Sequence, residues 1–313
     1  MTTSDHTVER RALHLSTWAT LALGCIGVTF AWITGADVIL LDGLFNLIYF
    51  VTALFTLKVA RLVALPEDEA FPYGYASFEP LVNILKGLLE LGVSAVALFA
   101  AVAALAAGGR PIAAGSAVIY GAIATGAGWL LFLILRRMAK RAGSPLLDLD
   151  VANWLVNAAI SSAVLAAFAA VVAIRGTPYA FLAPYVDPVM VIAVVLVTIW
   201  IPTRFAWRAL MELLNRAPSP AILGRVRDIV SGAIADLPIE RLFVRVLQPG
   251  RTRFVVVHLV LPADFPIRLP ELDAIRARIW AALQAEHPTS VVDVLFTADA
   301  RWADWSNQLK TGR

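Results

Sequence analysis

The chain has 313 residues, 59% of them hydrophobic and 16% charged, with a mean hydropathy of +0.75. Soluble domains carry about 25% charged residues, so this composition excludes an ordinary soluble protein and indicates a polytopic membrane protein. A net charge of +3, with the basic residues gathered beside apolar stretches, does not indicate a nucleic-acid partner, and the single cysteine, Cys25, excludes a disulfide framework or a cysteine metal cluster.

Six apolar segments reach the about 20 residues a helix needs to cross a bilayer. They lie near 12–33, 38–63, 81–105, 112–136, 150–174 and 186–208. The first is too long for a cleaved signal peptide and has no small-residue cleavage site. Arg10 and Arg11 precede span 1; Lys58 and Arg61 end span 2; Arg136, Arg137, Lys140 and Arg141 follow span 4; Arg204, Arg208 and Arg216 end or follow span 6. The opposite side shows only Arg110 and Arg175. By the positive-inside rule both termini are expected in the cytoplasm.

Span 2 carries Asp42 and Asn46, four residues apart in an otherwise apolar run. Span 5 opens with Asp150, Asn153 and Asn157. Ionisable groups inside a membrane are costly and mark functional sites by default. Helical spacing puts each set on one face, so the two faces can converge on a cation; the alternative is hydrogen-bonded helix–helix contact. Glu79, Lys86 and Glu90 form a helical series in span 3, with Lys86 and Glu90 spaced as an i, i+4 pair. Asp187 before Pro188 reads as a span cap, and the glycine- and alanine-rich runs of spans 3 and 4 allow close helix approach.

From about Ala217 the composition changes. A short helix is expected over 220–235, strands over 240–247 and 252–261 around the Gln248-Pro249-Gly250 turn, a helix over 270–286 and a strand over 291–297. The apolar stripe of the second helix is Leu272, Ile275, Ile279 and Leu283. This order predicts a small α+β domain at 217–300, after a six-helix membrane domain at 12–216 and a short N-terminal segment at 1–11. Residues 301–313, with Trp302 and Trp305, read as a tail.

Several segments resemble the cation diffusion facilitator family. LLDGLFN (40–46) resembles its span-2 motif, NWLVN (153–157) its span-5 motif, and FPYGYASFEPLVNILKGLLEL (71–91) its loop and span 3; YVDPVMVIAVVLVTI (185–199) resembles span 6 and TRFVVVHLVL (252–261) the hairpin of its cytoplasmic domain. The resemblance implies a homodimeric transporter exporting a divalent metal ion in exchange for protons, with no prosthetic group. It implies a transport site at Asp42, Asn46, Asn153 and Asn157, where the family has Asp or His. Asp150, Glu79 and Glu90 are further candidates, and His258, Asp299 and Glu271 the candidates for a site in the α+β domain. Tyr75 stands where the family has a loop histidine, so its loop metal site is expected to be missing. Oxygen donors without histidine suit Mn²⁺ or Mg²⁺ better than Zn²⁺; Fe²⁺, Co²⁺ and Cd²⁺ also remain open. The other readings are a monovalent-cation transporter and a membrane scaffold that has lost the site. No Ser/His/Asp arrangement, HExxH or P-loop suggests an enzyme. The alanine- and arginine-rich composition suggests a bacterial inner-membrane protein.

Overall fold

A computed structural model of the chain describes residues 3–142, 145–265 and 268–304. Trp305 lies outside them. The long helices are α1 (Thr3–Thr34), α2 (Asp37–Val63), α3 (Phe78–Ala106), α4 (Ala114–Ala142), α5 (Pro145–Ala173), α6 (Ala183–Thr198) and α7 (Trp200–Leu213). They supply six segments long and apolar enough to cross a membrane, the sixth being Ala180–Leu213. That last segment breaks at Ile199, because Pro202 has no N–H for the Thr198 carbonyl.

Two compact units divide the chain: Met1–Lys58 with Ile84–Ala206, and Val59–Asn83 with Trp207–Arg313. In the first, Ala31, Ile39, Leu41, Tyr120, Phe168, Val191 and Val195 form a buried core drawn from five helices. Apolar residues also face outward: Val96, Phe99, Leu130, Leu196 and Val197 are all exposed. An exposed apolar face this broad is stable only in an apolar medium.

The helices alternate in direction. Arg110 N–H donates to the Pro184 carbonyl (2.7 Å) and Ala113 N–H to that of Thr34 (2.9 Å), so α1 ends where α2, α4 and α6 begin. We call this the distal end and the other the proximal end. Gly109, at φ +93°, lies so close to Pro184 that a Cβ would meet its carbonyl carbon and oxygen at 2.7 Å. Asp187 is 1% exposed and accepts from the N–H groups of Asp37 and Val38, both at 3.1 Å. It is therefore a cap, as its position suggests, but for α2 and not for its own helix. A carboxylate there satisfies two free backbone donors and complements the helix dipole.

The second unit holds α8 (Pro220–Ala233), β1 (Arg241–Leu247), β2 (Arg253–Val260), α9 (Leu269–Glu286), β3 (Ser290–Thr297) and the short α10 (Ala300–Ala303). The sheet order is β1-β2-β3, antiparallel then parallel. Val226 and Val230 of α8, Ile275, Ile279 and Leu283 of α9, and Val246, Val255, Val257 and Val294 of the sheet form its core. The α+β expectation holds element by element, because strand alternation and a helical stripe are local signals.

Candidate cation site

Asp42 and Asn46 lie one turn apart on α2. Gly27 of α1 and Gly43 of α2 let the two helices meet closely: a Cβ on Gly27 would lie 2.7 Å from the Gly43 Cα. That contact sits directly beside Asp42. Asn46 is 2% exposed; its amide donates to the Asp42 carbonyl (2.9 Å) and side-chain Oδ1 (3.4 Å). The other carboxylate oxygen, Oδ2, accepts from the Tyr120 hydroxyl at 2.5 Å. Tyr120, 2% exposed on α4, touches the same place: its hydroxyl would be 3.0 Å from a Cβ on Gly27. A half-buried carboxylate is thus held by two neutral donors inside an apolar bundle. Asp42, Asn46 and Tyr120 each carry a hard oxygen, the ligand type suited to a hard cation.

Tyr120 was not among the sequence candidates. Its only sequence signal is a hydroxyl in the small-residue run of α4, and nothing in the spacing links residues 42 and 120.

The two asparagines of α5 are not part of this bonded group. Asn153 is exposed and Asn157 half-buried. A Cβ on Gly128 would lie 3.1 Å from the Ala158 Cα, which sets Asn157 level with that part of α4. From Tyr120 to Gly128 the rise is about 12 Å toward the proximal end. Asn157 therefore lies roughly one turn beyond Asn46, and Asn153 a turn further.

Nearer the proximal end is a second polar group. Lys86 Nζ lies 3.9 Å from Glu90 Oε1 and 4.3 Å from the centre of the Tyr49 ring. The i, i+4 pairing of Lys86 with Glu90 expected from the sequence is present. Asp150 of α5 is within electrostatic range of Lys86 and bonded to the Ser16 hydroxyl of α1. Ser16 also accepts from Trp154 Nε1 at 2.8 Å.

The remaining candidates have structural partners. Glu79 accepts from the Arg251 backbone N–H at 2.8 Å and pairs with its guanidinium, joining the start of α3 to the β1–β2 turn within the second unit. In the α2–α3 loop, Asp68 accepts from the Tyr75 hydroxyl and from the Ala70 and Phe71 N–H groups (2.9 and 2.8 Å). The Tyr75 hydroxyl, then the Phe71 N–H, hold the Asp68 carboxyl below its ordinary range. His258 is 4% exposed, and the Arg245 guanidinium lies 3.3 Å from its Nδ1. Burial first, then the Arg245 charge, push its imidazole below the usual range, with Asp293 acting the other way. A guanidinium against the ring nitrogen is a poor setting for a metal ion. Asp299 caps α10 by accepting from Arg301 N–H (2.9 Å) and pairs with the Arg301 side chain, which lowers its pKa. Glu271 accepts from Arg268 N–H at the start of α9 (3.1 Å). Among the described residues, no group of three or more His, Cys, Asp or Glu side chains comes together.

Six segments long and apolar enough to cross a membrane make this an integral membrane protein, and Asp42, Asn46 and Tyr120 form a polar group inside its bundle. The family model for the cation efflux transmembrane domain matches residues 13–214, so the chain belongs to the cation efflux family, a family of metal-cation transporters. No curated protein matches the chain.

Proposed function

We propose that the chain exports a divalent metal cation from the cytoplasm in exchange for protons, and that Asp42 is the central ligand. The observation that carries this reading is the Asp42 carboxylate, half-buried in the bundle and held by Tyr120 and Asn46. A cation binds there by taking Asp42 Oδ1, with the Asn46 amide turning to present its oxygen, while the Tyr120 hydroxyl keeps its hold on Oδ2. Asn157 and Asn153 supply the next oxygens toward the proximal end. A carboxylate in an apolar setting holds either a proton or a metal ion but not both, which couples export to the proton gradient. A monovalent cation is the second reading, favoured by the lone carboxylate at this level.

The proximal end faces the cytoplasm in this reading, which places the termini and the α+β domain inside. Arg136, Arg137 and Lys140 crowd that end of α4, whereas Arg110 at the distal end is tied to Asp37. The protein functions as a homodimer joined through the α+β domain, where edge strand β3 exposes Val291 and Leu295. The cargo screen is titration of the purified chain with Mn²⁺, Mg²⁺, Zn²⁺, Fe²⁺, Co²⁺, Cd²⁺ and a monovalent series. One ion should bind the native chain, and Asp42→Asn should abolish both binding and proteoliposome flux. Unchanged flux in that variant would refute the site.

A further inference from the structure

The Lys86 group has no role in the reading above, yet it gathers three charged side chains inside the bundle. Four helices contribute to it: Ser16 from α1, Tyr49 from α2, Lys86 and Glu90 from α3, and Asp150 from α5. Glu90 is 5% exposed, and its Oε1, the atom facing Lys86, has no hydrogen-bond partner. Asp150 Oδ2 is likewise buried without one. Unsatisfied buried carboxylate oxygens are costly where the role is only structural. With both carboxylates ionised, one ammonium leaves the cluster one positive charge short.

Its position is informative. Asp42, Asn46 and Tyr49 are spaced i, i+4, i+7 and share one face of α2. That polar face runs from the Asp42 group down to the Tyr49 ring, over which Lys86 lies. The cluster therefore stands in line with the Asp42 site, on its proximal side.

We propose that Glu90 and Asp150 form a second cation station, on the proximal side of the Asp42 site, and that the Lys86 ammonium occupies it when cargo is absent. This rests on the reading of Asp42 as the central ligand. A hard cation arriving from the proximal end takes the free oxygens of Glu90 and Asp150, and the flexible four-carbon stem of Lys86 lets its ammonium withdraw along the Tyr49 ring. Lys86 is a tethered competitor that keeps the station from trapping the ion, so cargo passes on along α2. Conduction needs binding firm enough for access and weak enough for release.

The test is calorimetric titration of the full chain with Mn²⁺ and Mg²⁺ in the Asp42→Asn background, where the central site is silent. Adding Lys86→Met should restore one binding event there. In the otherwise native chain the same substitution should tighten binding roughly tenfold, as removal of a nearby like charge predicts. Glu90→Gln with Asp150→Asn should erase the restored event. Lys86→Gln, neutral but polar, should act as Lys86→Met does, so a folding defect in one variant does not mask the result. Silence of both lysine variants in the Asp42→Asn background would overturn the second station. Retention of native binding by Asp42→Asn alone would instead refute the central site, and a further event gained with Lys86→Met would still support this one.

Discussion

At the distal end of the bundle, Asp187 gives both carboxylate oxygens to the backbone donors that open α2, and Arg110 pairs with Asp37. Toward the proximal end, Glu90 and Asp150 each keep a buried oxygen without a hydrogen bond. The Asp42 group is intermediate: its oxygens are satisfied, but by a phenol and an amide that rotation can move away. The distal carboxylate is held by donors that belong to a helix backbone and cannot leave. Its function is to fix the helix, whereas a carboxylate held by movable side chains or left unsatisfied can exchange partners. Burial alone does not separate the two, since Asp187 and Glu90 are almost equally covered.

That contrast can be broken by substitution. Tyr120→Phe should give the largest change, a cation affinity about ten- to a hundredfold weaker, the usual cost of losing a group that orients a ligand. Thermal stability should hardly move, and a variant that binds normally would remove Tyr120 from the site. Asp187→Ala should do the reverse. It strands two N–H groups at the start of α2, costing about 1–3 kcal/mol, seen as earlier unfolding in detergent with near-native affinity. Lost binding at full stability would make Asp187 a ligand.

The smallest effect sharpens the comparison in the α+β domain. The folded chain disfavours protonated His258, because burial and Arg245 hold its imidazole below the ordinary range. The unfolded chain takes up a proton as pH falls through about 6.5. The stabilisation is therefore complete above that value and is lost as pH falls below it. His287 is shifted in the same direction, mainly by burial. Melting of the full chain between about pH 7.5 and pH 5.5 should show this loss, and His258→Gln should flatten part of it. An unchanged slope would assign the acid sensitivity elsewhere.

The sequence was informative wherever the governing interactions are local. Six apolar runs, the β1–β2 hairpin and the stripe of α9 follow from periodicity, because burial of one face repeats at the period of the element. The Lys86–Glu90 pair follows from i, i+4 spacing. Asp42 and Asn46 stood out because a polar pair in an apolar span has few reasons to be there.

Partnership across helices was another matter. Asn153 and Asn157 share the helical spacing of Asp42 and Asn46, but depth along a bundle depends on where each helix starts and how it packs. Gly128 against Ala158 sets Asn157 about two turns of α4 below Tyr120. Asp187 reads as a cap, yet the helix it caps begins at residue 37, and only the meeting of α6 with α2 shows that. Tyr120 completes the Asp42 group from far along the chain, its hydroxyl reaching the place where Gly27 meets Gly43. Element type and membrane character were therefore set by composition and period, which are properties of the chain itself. Which polar groups face one another was decided by helix register and packing, which depend on contacts between residues far apart in the chain.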